Sequence, residues 1–125
     1  MIERELLAEA ASLFNRKLYF ECHDLLEDRW AGERDPGDRA FLHGLIQIAV
    51  GLYHVSQRNH LGAVNLLSRG IEVLAPLAPE RDGLDVRGFI DGARRCLEKS
   101  ERGLAGEPVE WVAEDVPEMH LAEVD

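Results

Sequence analysis

The sequence predicts an all-α fold: a compact array of about five helices with a buried central helix and an acidic C-terminal tail. Three observations carry that expectation. Apolar residues recur at spacings of three and four through the first hundred positions, no strand pattern precedes residue 104, and the connections are short. A chain of 125 residues builds one core, and its 46% apolar and 30% charged composition is that of a folded protein without solenoid repeats. The expected division is a helical domain over 1–103 and an acidic tail over 104–125, extended or partly docked.

The elements follow in order. Ile2, Leu6, Leu7, Ala10, Leu13 and Phe14 form the first apolar stripe, which Asn15-Arg16-Lys17 interrupts. A second helix over 18–31 turns Leu18, Cys22, Leu25, Leu26 and Trp30 inward and ends at Gly32 and the turn-rich Glu33-Arg34-Asp35-Pro36-Gly37. Asp38 reads as the N-cap of a third helix over 39–57, its carboxylate accepting from an orphan amide at the helix start. That helix is apolar almost all round, from Phe41 to Val55, which places it at the centre. Asn59 caps a fourth helix over 60–75, with Val64, Leu67, Ile71 and Leu74 on its seam and Pro76 at its end. A Pro-Glu-Arg-Asp-Gly loop leads to Asp85, cap of a fifth helix that runs to about 102 with Gly103 as its C′ residue. Pro108 and Pro117 forbid a continuous helix beyond. Trp111, Val112, Val116 and Met119 are too apolar for a purely solvating tail, so docking onto the body or a second subunit is expected.

Charge narrows the function classes. The formal net charge is −10, which argues against nucleic acid or an anionic membrane as a partner. The acidity is concentrated: residues 1–102 hold all 14 basic residues and 17 acidic ones, whereas 103–125 hold seven acidic and no basic residues. The Arg94-Arg95-Lys99-Arg102 face is the nearest basic surface for that tail. Cys22 and Cys96 sit in apolar helical patterns and read as buried reduced thiols. The opening MIERELLAEA lacks the pattern of a signal peptide, and the most apolar stretch, Gly44 to Val55, is too short to span a membrane. A cytoplasmic location is the expectation.

Polar residues interrupt the apolar pattern at two places. On the second helix His23 and Glu27 stand at i and i+4, bracketed by Phe20 and Trp30, with Asp24 beside them. On the third, His43, Gln47 and His54 fall on one stripe beside Gly44 and Gly51, small residues that admit a close neighbour or ligand. If the two helices pack antiparallel, His23, Glu27, Gln47 and one of His43 or His54 converge. Such a seam has three chemical readings. It is a mutually satisfied polar cluster, a divalent-metal site with His23, Glu27 and His54 as ligands, or a His–carboxylate dyad for acid–base work. No nucleophile accompanies the dyad, since Cys22 points about 100° away from His23 on a helix. Phosphate loops, nucleophile elbows and CxxC pairs are absent from the sequence.

The run FNRKLYFECHDLLEDRW, followed by RAFLHGLIQIAVGLYHVSQRNHLGAVNLL, resembles the bacterial and archaeal family labelled domain of unknown function 309. The pattern H-E-x-L-E-x-x-W, then G-L-I-Q-x-A, a later His and a Gly-Ala pair falls here on His23, Leu26, Glu27, Trp30, Gly44, Leu45, Ile46, Gln47, Ala49, His54, Gly62 and Ala63. The family's Glu after the histidine is Asp24 in this chain, one methylene shorter. The resemblance spans about residues 13–75 and implies a small multihelical fold; it implies no activity. The functional expectation is a non-catalytic binding or scaffolding module that self-associates, with a divalent-metal protein or metal-dependent enzyme as the alternative.

Overall fold

A computed structural model describes residues 1–123, in which five helices follow one another as packed neighbours. They are α1 (Arg4–Asn15), α2 (Tyr19–Ala31), α3 (Pro36–Ser56), α4 (His60–Leu74) and α5 (Val86–Leu104). Successive helices pack on each other along the chain, most extensively α3 on α4. Phe14 of α1 meets Phe89 of α5 edge-on at 5.2 Å, which closes the array. The short connections turn back at once because Lys17 and Arg58 adopt positive φ, 64° and 56°, directly after α1 and α3.

α3 supplies the centre. Phe41, Leu42, Leu45, Ile48, Ala49 and Leu52 are buried, and α3 packs on both α2 and α4. It is not apolar all round, however: Arg39, His43, Gln47, Val50 and His54 form a half-buried stripe along its α2 side, and Tyr53 is exposed. Gly44 and Gly51 admit α4 rather than a ligand, since a Cβ at either would collide with Leu74 or Leu67.

Local caps correct two expectations. The N-cap of α3 is Asp35, whose side chain accepts from the Asp38 amide at 2.9 Å, with Pro36 opening the helix. Asp38 therefore lies inside the first turn, buried, where it accepts from Arg81 Nη2 at 2.8 Å and from the amino terminus of the chain. α5 runs past Gly103, and Gly106, at φ 92°, takes the left-handed position beyond its end. The caps expected at Asn59 and Asp85 are present, accepting from Gly62 N and Gly88 N.

The loop after α4 contains a small antiparallel hairpin, β1 (Glu80–Arg81) and β2 (Leu84–Asp85), where no strand was expected. Asp82 and Gly83 both have positive φ, as a two-residue type I′ turn requires. The tail then lies along this hairpin. Leu121 bridges to Leu84, Asp85 N donates to His120 O at 2.9 Å, and Ala122 N donates to Gly83 O at 2.8 Å. Met119 is buried, and Asn15 clamps it, accepting from its amide at 2.8 Å and donating to its carbonyl at 2.9 Å. Trp111 and Val116 pack on the core, and Lys99 pairs with Asp115 while donating to Glu110 O at 2.5 Å. Lys99 holds the Asp115 carboxyl below the usual carboxylate range. The tail thus docks on its own body, which removes it as a ground for expecting self-association; Asp125, one of its acidic residues, lies outside the described residues. No helix among the described residues is long and apolar enough to cross a membrane.

Candidate functional site

α2 and α3 pack antiparallel, and the polar residues expected to converge between them are divided between two ends that differ. At one end Trp30, on the last turn of α2, stacks on His43 with ring centres 5.1 Å apart. The Arg39 guanidinium sits 4.1 Å from the Trp30 ring centre and donates to the carbonyls of Trp30 at 3.0 Å and Glu33 at 3.2 Å. That end is filled by protein.

The other end is open. Tyr19, Phe20 and His23 of α2 face Val50, Tyr53 and His54 of α3 across a cleft of about 210 Å³. Phe20 is 56% exposed and Tyr53 38%, both large side chains left in contact with water at the mouth. Tyr19, next to Phe20, is the buried member of that pair, and burial pushes its hydroxyl pKa up. Adjacent rings are spaced evenly: Phe20 to His23 is 5.9 Å, Phe20 to Tyr53 6.2 Å, and Tyr53 to His54 6.1 Å.

His23 and Glu27 meet as their i,i+4 spacing predicts, with Nε2 at 2.6 Å from Oε2. Asp24 Oδ1 lies 3.3 Å from Nδ1, but out of line for a hydrogen bond, so that nitrogen is buried without a hydrogen-bond partner among the described residues. The pair is not a sealed core cluster: the Glu27 and Asp24 side chains are largely in solvent. Gln47 Oε1 and Trp30 Nε1 are likewise buried without partners along the same seam.

His54 is held by the start of α4. Its Nδ1 stands 3.2 Å from Asn59 Nδ2, and a Cβ on Gly62 would overlap its ring, so only glycine lets α4 approach this closely. Of the two candidate partners for His23, the structure brings His54 to the cleft and leaves His43 at the Trp30 end. No three His, Cys, Asp or Glu side chains among the described residues gather closely enough to hold a metal ion, so His23, Glu27 and His54 do not form a three-ligand set. Cys22 is turned toward α1, donating to Ala10 O at 3.4 Å, and burial pushes its thiol up to about 12. Cys96, pushed up to about 12 by burial and the Asp115 charge, donates to Asp115 O. Both cysteines are free and buried, as expected.

Sequence reasoning missed Tyr19, Val50 and Tyr53 as cleft residues. Tyr19 and Tyr53 sit beside Phe20 and His54 and line the cleft together with them, which depends on how α2 and α3 are rotated against each other, and no spacing supplies that rotation.

Comparisons place these residues in a family context. The model of the family described as Domain of unknown function (DUF309) matches residues 7–66. The chain is also 39% identical, over 85 residues, to "Uncharacterized protein YpuF" of Bacillus subtilis (strain 168). That match covers 66% of this chain and 49% of the relative, so the chain spans about half the length of the curated relative it matches.

Proposed function

Residues 7–66 make this chain a member of the domain-of-unknown-function 309 family, and from that premise we propose that it is a non-catalytic binding module whose site is the α2–α3 cleft. The observation that carries the reading is the cleft itself: two large aromatic side chains, Phe20 and Tyr53, left exposed at the mouth of a 210 Å³ hollow. Exposed aromatics around a concavity are costly to leave in water, and they become favourable when a ligand covers them. Every residue lining the cleft falls within the segment the family model matches. The inward-turned, protonated Cys22 leaves the His23–Glu27 pair with no adjacent nucleophile to activate, which supports binding over catalysis.

Chemical-shift mapping with a small aromatic probe, indole, tests this reading. Saturable shifts are expected at Phe20, Tyr53 and His23; shifts confined to other surfaces, or none at millimolar probe, contradict it. A second reading, a divalent-metal protein, draws on His23 and His54 sharing the cleft and on the unpartnered His23 Nδ1. Zinc titration distinguishes it: stoichiometric binding that disappears with His54→Gln favours the metal.

A further inference from the structure

The cleft has a chemical bias beyond its apolar walls. Two carboxylates touch the imidazole of His23, which is itself part of the wall: Glu27 at 2.6 Å and Asp24 at 3.3 Å. Neither is paired with a lysine or arginine among the described residues. The group of Asp24, His23 and Glu27 is net negative whether His23 is neutral or protonated. The rest of the exposed face of α2 adds Glu21 and Asp28. Arg29, the one basic residue of α2, does not offset them, because Glu3 at 3.0 Å and Glu33 at 2.8 Å already hold its guanidinium. Lys17 and Arg58 line the neighbouring hollow beside Trp111, not this one.

Aromatic faces attract cations through the ring quadrupole when the charge lies within about 6 Å of the ring centre. His23, Phe20, Tyr53 and His54 follow one another around the cleft with neighbouring ring centres close to 6 Å apart, so a cation seated over the Phe20–Tyr53 pair reaches two rings at once. We infer that the cleft between α2 and α3 binds a small organic cation, an alkylated ammonium group whose carbon shell packs on Phe20 and Tyr53 while Asp24 and Glu27 supply the opposing charge. This inference rests on the cleft being a binding site and adds the class of ligand. An inorganic ion gains less here than an organic one, because the apolar and aromatic walls do not replace the water it would have to shed. An anion is disfavoured as well, because the two carboxylates that contact the wall residue His23 repel it.

The test uses the full chain and three probes: choline, its neutral carbon isostere dimethylbutanol, and an N-acetylated lysine amide. Each is titrated by NMR while the Phe20, His23 and Tyr53 ring resonances are followed. Choline is expected to bind about tenfold or more tightly than its neutral isostere, the margin that cation–π and opposing charge supply together. The doubly substituted Asp24→Asn, Glu27→Gln protein is expected to lose most of that margin while binding the neutral probe unchanged. Tighter binding of choline than of the lysine amide, whose primary ammonium has no carbon shell, supports the inference, and the reverse order overturns the alkylated-ammonium assignment. Equal binding of choline and dimethylbutanol overturns the cation inference and leaves the binding cleft standing. Binding of none of the three probes overturns the cation inference, and overturns the binding cleft as well where indole also leaves these resonances unmoved. Because Asp24 and Glu27 are largely solvent-exposed, an unchanged melting curve will show that the double variant is folded.

Discussion

Two polar regions of this molecule are built on opposite terms. Around the hairpin and the tail, charged and amide groups find partners: Asp38 with Arg81, Lys99 with Asp115, and Asn15 with both backbone groups of Met119. Along the α2–α3 seam, His23 Nδ1, Trp30 Nε1 and Gln47 Oε1 are buried without partners, and two aromatic side chains stand open to water. Arg81 Nε and Ser100 Oγ are the exceptions elsewhere among the described residues. A buried polar atom left unbonded costs stability, so three along one seam, one of them in the cleft wall, mark a region whose residues are not arranged for stability alone. The first region holds the fold together, and the second leaves polar atoms unmet and, at its open end, aromatic surface uncovered.

The largest effect is expected at the tail. Truncation after Gly103 removes the buried Met119 and the docked Trp111, Val116 and Leu121, and should cost about 4 kcal/mol or more by denaturant titration. An unchanged midpoint would make the tail a solvating appendage and dissolve the contrast.

Asp38 comes next. Asp38→Asn should cost about 2–3 kcal/mol, since it breaks a buried ion pair from one side and leaves Arg81 without its partner. Its hydrogen bonds from the amino terminus and Arg81 hold the Asp38 carboxyl below the usual carboxylate range. The unfolded chain therefore takes up the proton first. The stabilisation is fully present above the ordinary carboxylate range and fades as pH falls through that range toward the lower folded value. The variant should show a shallower loss of stability in acid than the parent; parallel pH profiles would contradict the assignment.

The seam should respond in the opposite direction. Gln47→Met replaces an unbonded buried amide oxygen with an apolar group of similar length, and stability should hold or rise by about 1 kcal/mol. A loss of more than about 1 kcal/mol would mean that Gln47 already makes a bond worth keeping.

The helices were legible because their signals are local. Apolar spacing placed α1 through α5, and the side chains of Asn59 and Asp85 cap the helices they precede. Asp35 and Asp38 stand three apart with Pro36 between them, and proline at the first helical position favours the earlier aspartate as cap. The hairpin carried a local signal too, Asp82-Gly83, but its strands are two residues long and their further partner is Leu121, far along the chain. At the site, the His23–Glu27 pair follows from spacing alone. The cleft does not, because Tyr53, His54 and Phe20 meet only through the rotation of α3 against α2.

The central claim is that the α2–α3 cleft serves binding and not stability, and paired measurements on Phe20→Ser test it most directly. Phe20 is 56% exposed and touches the cleft, so its replacement should leave the unfolding free energy within about 0.5 kcal/mol of the parent and abolish saturable probe shifts at Tyr53 and His23. A variant that unfolds markedly more easily, or one that binds as the parent does, would contradict the account.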